Sequence, residues 1–137
     1  MTYNLSRFLT AQERDYEQAL SEIRTGRKRS HWIWYIFPQL RGLGYSYNAE
    51  FYGIADVEEA RQYLSHPVLG ARLREITEAL LELPDSNPTR VMGRPDDIKL
   101  CSSMTLFEYV AEKDSVFGKI LDKYYGGKRD PATLRML

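Results

Sequence analysis

Apolar residues recur at helical spacing along most of this chain, which is the pattern of amphipathic helices. The longest such stripe covers residues 68–83, and Gly70 lies inside it, where a missing side chain permits close contact with another helix. A first helix is predicted over residues 11–25, because a capping box at residues 10–13 precedes its stripe and Gly26 follows it.

Further helical stripes begin near Asp56 and near Asp114 or Ser115, all residue types that cap helices. The run over residues 32–37, which Ser30 could cap, is ambiguous because every position in it is apolar. We interpret it as a helix, because an isolated strand would have no partner in a chain whose other segments are helical in pattern. The prediction is an all-α fold, a compact multihelical domain of about seven or eight short helices. The loops are too short for domain linkers, so residues 1–137 should form a single globular domain.

Composition and charge bear on the protein's partners and on the compartment in which it acts. The 137 residues carry 19 basic and 19 acidic side chains, so the net charge is zero and disfavours a nucleic-acid partner. The longest apolar run is far too short to span a bilayer, so no membrane association is expected. A single cysteine, Cys101, excludes an internal disulfide, and the N-terminus lacks a signal pattern; both favour a cytoplasmic protein.

The stretch from Gly26 to Ser46 concentrates the residues that could carry chemistry. It combines a basic run, a histidine, both tryptophans and a tight turn at residues 42–44, after which a loop or single helical turn should run to about Gly53. Ammonium and guanidinium groups attract phosphate, and indole faces stack on bases, so the stretch predicts a small phosphate-bearing ligand. The oligomeric state is left open.

Each of these residues also has a structural interpretation. Arg24, Arg27 and Arg29 complement a helix dipole, which is the interpretation we take for them, whereas Lys28 stays open between the two roles. At least one tryptophan is expected to be part of the core.

His31 and Gln39 are the candidate catalytic residues. A histidine before an apolar run can act as acid or base near neutral pH at the mouth of a pocket, and Gln39 can help to orient a ligand. The alternative for His31 is a structural ring bonded to a backbone carbonyl.

Lys99 and Ser103 are four residues apart on a predicted helix and are therefore neighbours. A desolvated lysine can activate a serine as a nucleophile, but the pair is explained more simply as part of an ordinary polar helix face. The two histidines and one cysteine show no metal-ligand spacing, and the chain has no phosphate-binding loop or dinucleotide fingerprint. No metal and no cofactor are predicted.

Several of these motifs resemble a bacterial family known only as domain of unknown function 1810. The similar segments are Gly26-x-Lys28-x-Ser30-His31-Trp32-x-Trp34, Phe37-Pro38-Gln39, Gly42-Leu43-Gly44-x-Ser46, Tyr63-Leu64-x-His66-Pro67 and Asp97-x-Lys99-Leu100-x-Ser102-Ser103. Cys101 departs from the family pattern, which argues against a thiol role. The resemblance implies a mainly helical single domain and no established activity. Some members carry the label calpastatin, which does not suit a chain that has a core pattern and no repeats.

Two functions remain open at this point. One is binding or hydrolysis of a small nucleotide-like metabolite of the ADP-ribose type, since residues 97–107 are weakly similar to helical proteins proposed to handle such compounds. The other is a non-enzymatic protein-interaction module that uses an aromatic and basic surface. The expected site is one shared concavity, faced also by Lys99 and Ser103, and lined by Lys28, Ser30, His31, Trp32, Trp34, Gln39 and Ser46.

Overall fold

Helices and short connections make up residues 2–137, the part of the chain that the computed structural model describes. Nine helices are assigned there: α1 Ser6–Arg24, α2 Ile33–Ile36, α3 Tyr47–Phe51, α4 Val57–Ser65, α5 Leu69–Glu82, α6 Pro88–Met92, α7 Asp96–Val110, α8 Val116–Tyr125 and α9 Pro131–Met136. The all-α prediction is confirmed. The number exceeds the predicted seven or eight because the stretch for which a loop or a single helical turn was expected forms a five-residue helix, α3.

Helix α7 is the centre of the fold. It packs against α4, α6, α8 and α9, and it also reaches α2. All six residues from 102 to 107 are buried, so this helix has no continuous solvent face, as a central helix requires. The buried apolar residues of the described chain join in one continuous core. No helix in this part of the chain is both long enough and apolar enough to cross a membrane.

The start of α1 differs from the prediction. The capping box expected at residues 10–13 is wrong, because the helix already begins at Ser6, whose amide donates to Asn4 Oδ1 at 2.9 Å. Leu5 and Phe8 are buried in the core, and this packing extends the helix by more than a turn beyond the predicted start.

Gly70 lets α5 approach the end of α4, as its position in the apolar stripe predicted. A Cβ atom placed on Gly70 would lie 2.0 Å from the carbonyl oxygen of Leu64. His66 fastens the same junction, since its Nδ1 accepts from the amides of Val68 and Leu69 at 3.1 and 3.2 Å. The two helices therefore meet backbone to backbone, which only glycine permits.

A short backbone pairing positions α2 and α3. Leu40 and Ile54 form an isolated parallel bridge, in which the amide of Arg41 donates to the carbonyl of Ile54 at 2.8 Å and the amide of Ile54 donates to the carbonyl of Gln39 at 2.9 Å. The chain between residues 40 and 54 is thereby closed into a loop that carries α3 and holds it beside α2.

The Cys101 thiol should be unreactive in the folded protein. Burial, with a smaller contribution from Asp130, raises its pKa to about 11, so the nucleophilic thiolate is scarce at neutral pH. We expect native protein to react with a thiol reagent at least about tenfold more slowly than urea-unfolded protein, in which the thiol pKa returns to its ordinary range. Equal rates measured at neutral pH would contradict this expectation.

Candidate functional site

The first half of the Gly26–Ser46 stretch is fastened to a buried carboxylate. Glu22 Oε1 accepts hydrogen bonds from the amides of Arg29 and Ser30 at 2.7 and 2.9 Å and from the Trp32 indole at 2.9 Å. Glu22 Oε2 accepts from the Ser30 hydroxyl at 2.6 Å and from Gln18 at 3.1 Å. Five donors therefore converge on one side chain that is only 7% exposed.

These hydrogen bonds keep Glu22 ionised. Its burial by itself raises the pKa, but the Ser30 hydroxyl, the amides of Arg29 and Ser30 and the Trp32 indole all stabilise the carboxylate. Their combined effect exceeds that of burial and lowers the pKa to about 2. The loop after α1 is thus organised around a negative charge at neutral pH.

Lys28 and Trp32 are likewise engaged inside the protein. Lys28 Nζ lies 2.7 Å from Asp96 Oδ2, and the lysine side chain is only 5% exposed. The same ammonium lies 4.9 Å from the centre of the Trp32 ring, which is itself buried. Together with Ser30 they tie the end of α1 to the start of α7, and the polar atoms of all three are engaged by other groups of the protein.

The second half of the stretch forms a pocket between α2, α3 and α7, which we call the Trp34 pocket. It is lined by Ile33, Trp34, Phe37, Gln39, Asn48, Ala49, Tyr52, Gly53 and Lys99. Its cavity volume is about 10 Å³, roughly the space that one ordered water occupies. Gly44 lets the chain close against its wall, since a Cβ there would lie 3.0 Å from the Cβ of Ala49.

Several polar groups of the Trp34 pocket have no hydrogen-bond partner among residues 2–137. The indole nitrogen of Trp34 is buried and makes no hydrogen bond. Gln39 and Asn48 also line the pocket, and no described residue hydrogen-bonds to either side-chain amide. Buried donors in native proteins are almost always paired, so an unpaired indole in a pocket points to a ligand or water as its partner.

Lys99 gives the pocket a positive charge. Its Nζ lies 5.1 Å from the centre of the Trp34 ring and 3.9 Å from Asp96 Oδ1. The other oxygen of Asp96 is held more closely by Lys28. One carboxylate therefore faces two ammonium groups, which leaves an excess positive charge beside the pocket.

Only part of the predicted site is brought together in one pocket. Trp34, Gln39 and Lys99 share the Trp34 pocket, whereas the other predicted site residues do not line it. Ser46 does not approach Ser30, because Ser46 Oγ caps α3 by accepting from the amide of Ala49 at 3.1 Å. The turn at residues 42–44 leads from the pairing of Leu40 with Ile54 into α3 instead.

Ser30, His31 and Ser103 were also predicted as site residues, and none of them lines the Trp34 pocket. The proposal that Ser30 caps α2 is wrong, since Trp32 stands at that position without a side-chain cap and Ser30 is bound to Glu22. His31 is exposed, and its side chain neither lines the Trp34 pocket nor binds Glu22. Its carbonyl accepts from the Tyr35 hydroxyl at 3.4 Å. Ser103 lies fully buried one turn after Lys99, and its hydroxyl has no partner among the described residues.

Sequence reasoning missed four residues that shape the region: Glu22, Asn48, Tyr52 and Asp96. Glu22 stands among other charged residues of α1 and gives no local signal. Asn48 and Tyr52 are four residues apart, which places them on one face of a helix, and this spacing could have identified them had residues 47–51 been predicted as helical.

The titratable side chains that line the Trp34 pocket are Lys99 and Tyr52. Neither a carboxylate nor an imidazole lines it, so within the described chain this pocket offers hydrogen-bond donors and a cation rather than a general base. Among residues 2–137, no three His, Cys, Asp or Glu side chains are grouped so that they could hold a metal ion.

Comparison with known proteins identifies the family of this chain. Residues 2–137 match the model of the family described as protein of unknown function (DUF1810). The chain belongs to this family. It is also similar to the conserved hypothetical protein Rv1873 from Mycobacterium tuberculosis, whose crystal structure superposes with a TM-score of 0.95 at 47% identity over 97% of this chain and 95% of that one. No curated protein matches the chain. This chain thus shares its fold with that protein, and the comparisons assign no activity to either.

Proposed function

We propose that this chain binds a small nucleotide-like metabolite of the ADP-ribose type, with an oxygen of the ligand's anionic group in the Trp34 pocket. The cavity volume of about 10 Å³ admits one such oxygen, so the rest of the ligand would lie at the mouth of the pocket.

The unpaired Trp34 indole is the observation that carries this proposal. Leaving a buried donor unsatisfied costs on the order of 1–3 kcal/mol, and an oxygen acceptor in the pocket would remove this cost. The amides of Gln39 and Asn48 lie in the same lining and can hydrogen-bond other polar atoms of the ligand.

Charge supports an anion rather than a neutral acceptor. The Lys99 ammonium is held only loosely by Asp96, which Lys28 holds closely, so Lys99 can turn towards a bound anion without losing a strong ion pair. Lys99 is 24% exposed, which leaves it accessible from solvent.

The pocket favours binding over hydrolysis. Hydrolysis needs a group that activates water, and no carboxylate or imidazole lines the Trp34 pocket. His31 lies outside this lining, so a catalytic role for His31 and Gln39 would require the ligand to extend from the pocket to the exposed imidazole.

The test is titration of the protein with ADP-ribose, followed by tryptophan fluorescence. We expect a fluorescence change that Trp34→Phe removes, and an affinity that Lys99→Met lowers at least about tenfold, since charge-assisted hydrogen bonds contribute roughly 1.5–3 kcal/mol. Lys119→Met is the matched control, because Lys119 is exposed on α8 and should leave the affinity unchanged. Equal affinities of the Lys99→Met and unsubstituted proteins, or no response to ADP-ribose, would refute the proposal.

A protein-interaction module is the second candidate, and one observation favours it. Arg27, Arg29 and Arg94 are exposed, and no carboxylate of the described chain pairs with any of them. The amide of Lys28 donates to the carbonyl of Val91 at 2.7 Å, which places the loop that carries Arg27 and Arg29 beside α6, and Arg94 follows that helix. Such a basic surface suits an acidic protein segment. Binding of a ten-residue glutamate peptide that is lost on neutralising the three arginines would support this candidate.

A further inference from the structure

Helix α3 exposes two aromatic rings beside the Trp34 pocket. Tyr47 is 76% exposed and Phe51 is 43% exposed, and both belong to this helix of five residues. Their rings are nearly parallel, with an interplanar angle of 9° and centroids 5.6 Å apart. The two rings therefore stack on each other and form an exposed aromatic pair, which we call the Tyr47–Phe51 face.

This face is continuous with the pocket lining. The Phe51 ring stands edge-on to Tyr52, with centroids 4.8 Å apart and an interplanar angle of 83°, and Tyr52 lines the Trp34 pocket. Asn48 follows Tyr47 directly and also lines the pocket. Helix α3 thus contributes to the wall of the Trp34 pocket and also carries the Tyr47–Phe51 face beside it.

We infer that the Tyr47–Phe51 face stacks the planar base of the same ligand whose anionic group enters the Trp34 pocket. This inference rests on the proposed function and adds the ligand class: a heteroaromatic base joined to its anionic group by an extended linker, as in a nucleoside diphosphate derivative. Base–aromatic stacking is favourable for any base, because every base has a π-face. The small cavity cannot hold a base, so the base must stay outside it, where the two exposed rings lie.

The size of the face distinguishes this occupant from a second copy of the chain. A stable protein interface buries about 800 Å² per partner, which two side chains of one helical turn do not supply. A single base covers an area comparable to one aromatic ring, and Tyr47 has an exposed ring available for it.

The experiment compares a ligand that carries a base with a fragment that lacks one. ADP-ribose and ribose 5-phosphate are each titrated while the Trp34 indole proton is followed by NMR, in the unsubstituted protein and in Tyr47→Ser. We expect Tyr47→Ser to weaken ADP-ribose about tenfold and to leave ribose 5-phosphate unchanged. Tyr109→Ser is the matched control, because Tyr109 is 55% exposed on α7 and does not line the pocket, and it should change neither affinity.

The outcomes separate the two proposals. If ribose 5-phosphate shifts the Trp34 signal but Tyr47→Ser weakens neither compound, the stacking inference is overturned and the proposed function stands. If neither compound shifts the signal, both are overturned. A change in sedimentation of the ligand-free chain on Tyr47→Ser would assign the face to contact between copies and would also overturn the inference.

Discussion

Replacing Gly70 with alanine should destabilise the protein by about 3 kcal/mol or more, although alanine is the better helix former by roughly 1 kcal/mol. The added Cβ would lie 2.0 Å from the carbonyl oxygen of Leu64, and the nearest atoms are all backbone. Relief therefore requires α4 and α5 to move apart, and both pack on the same core. Urea unfolding of the two proteins measures the difference directly.

Gly118→Ala provides the matched control for this prediction. A Cβ on Gly118 would meet Glu108 Oε2 at 2.6 Å, which is the far end of a flexible side chain. Glu108 can rotate away at the cost of its partly exposed ion pair with Arg129, so we expect a loss of no more than about 1 kcal/mol. A smaller loss for Gly70→Ala than for Gly118→Ala would show that the α4–α5 junction yields more easily than its geometry implies.

The sequence predicts those features of the fold that depend on neighbours along the chain. Helical periodicity identifies the long helices, and the cap at Asp56 is confirmed, since its Oδ1 accepts from the amide of Glu59 at 2.9 Å. Of the two residues predicted as possible caps of α8, Asp114 and Ser115, it is Ser115 whose side chain accepts from the amide of Gly118. Gly70 belongs here too, because a glycine inside a strong apolar stripe is costly unless a neighbouring backbone requires it.

Features that depend on contacts distant in sequence are the ones that local patterns miss. The pattern at residues 10–13 is a valid capping box, yet burial of Leu5 and Phe8 extends α1 past it. Ser30 resembles a helix cap, but its hydroxyl binds a carboxylate eight residues earlier in the chain. Tertiary packing overrides both local signals.

The residues of the candidate site, too, could be predicted only in part from the sequence. Trp34, Gln39 and Lys99 were predicted and do meet, because α7 packs near α2. Asn48 and Tyr52 could not be assigned to the same pocket, since their position follows from the pairing of residues 40 and 54 rather than from any nearby motif. Of the basic and aromatic side chains of residues 28–32, Lys28 and Trp32 are directed into the protein, towards Asp96 and Glu22, whereas Arg29 and His31 are exposed.

Glu22→Gln should destabilise the protein far more than neutralising an exposed charge of α1. The folded carboxylate has a pKa of about 2, against an ordinary value of 4.5, which corresponds to about 3 kcal/mol of stability at neutral pH. An uncharged amide receives the five donors less well, and its own nitrogen must face some of them. Glu17→Gln is the matched control, because Glu17 is exposed on the same helix and its substitution makes the same change in net charge.

The pH dependence identifies the charge of Glu22 as the cause. Because folding lowers the pKa of this carboxyl, its contribution is complete above the unfolded pKa and is lost as the pH falls from about 4.5 to about 2. The difference in unfolding free energy between the unsubstituted protein and Glu22→Gln should therefore be largest at neutral pH and should shrink steadily below about pH 4.5. Urea unfolding at a series of pH values measures this difference. A penalty that stays constant down to about pH 3 would mean that packing of the side chain, and not its ionised form, holds the loop after α1 in place.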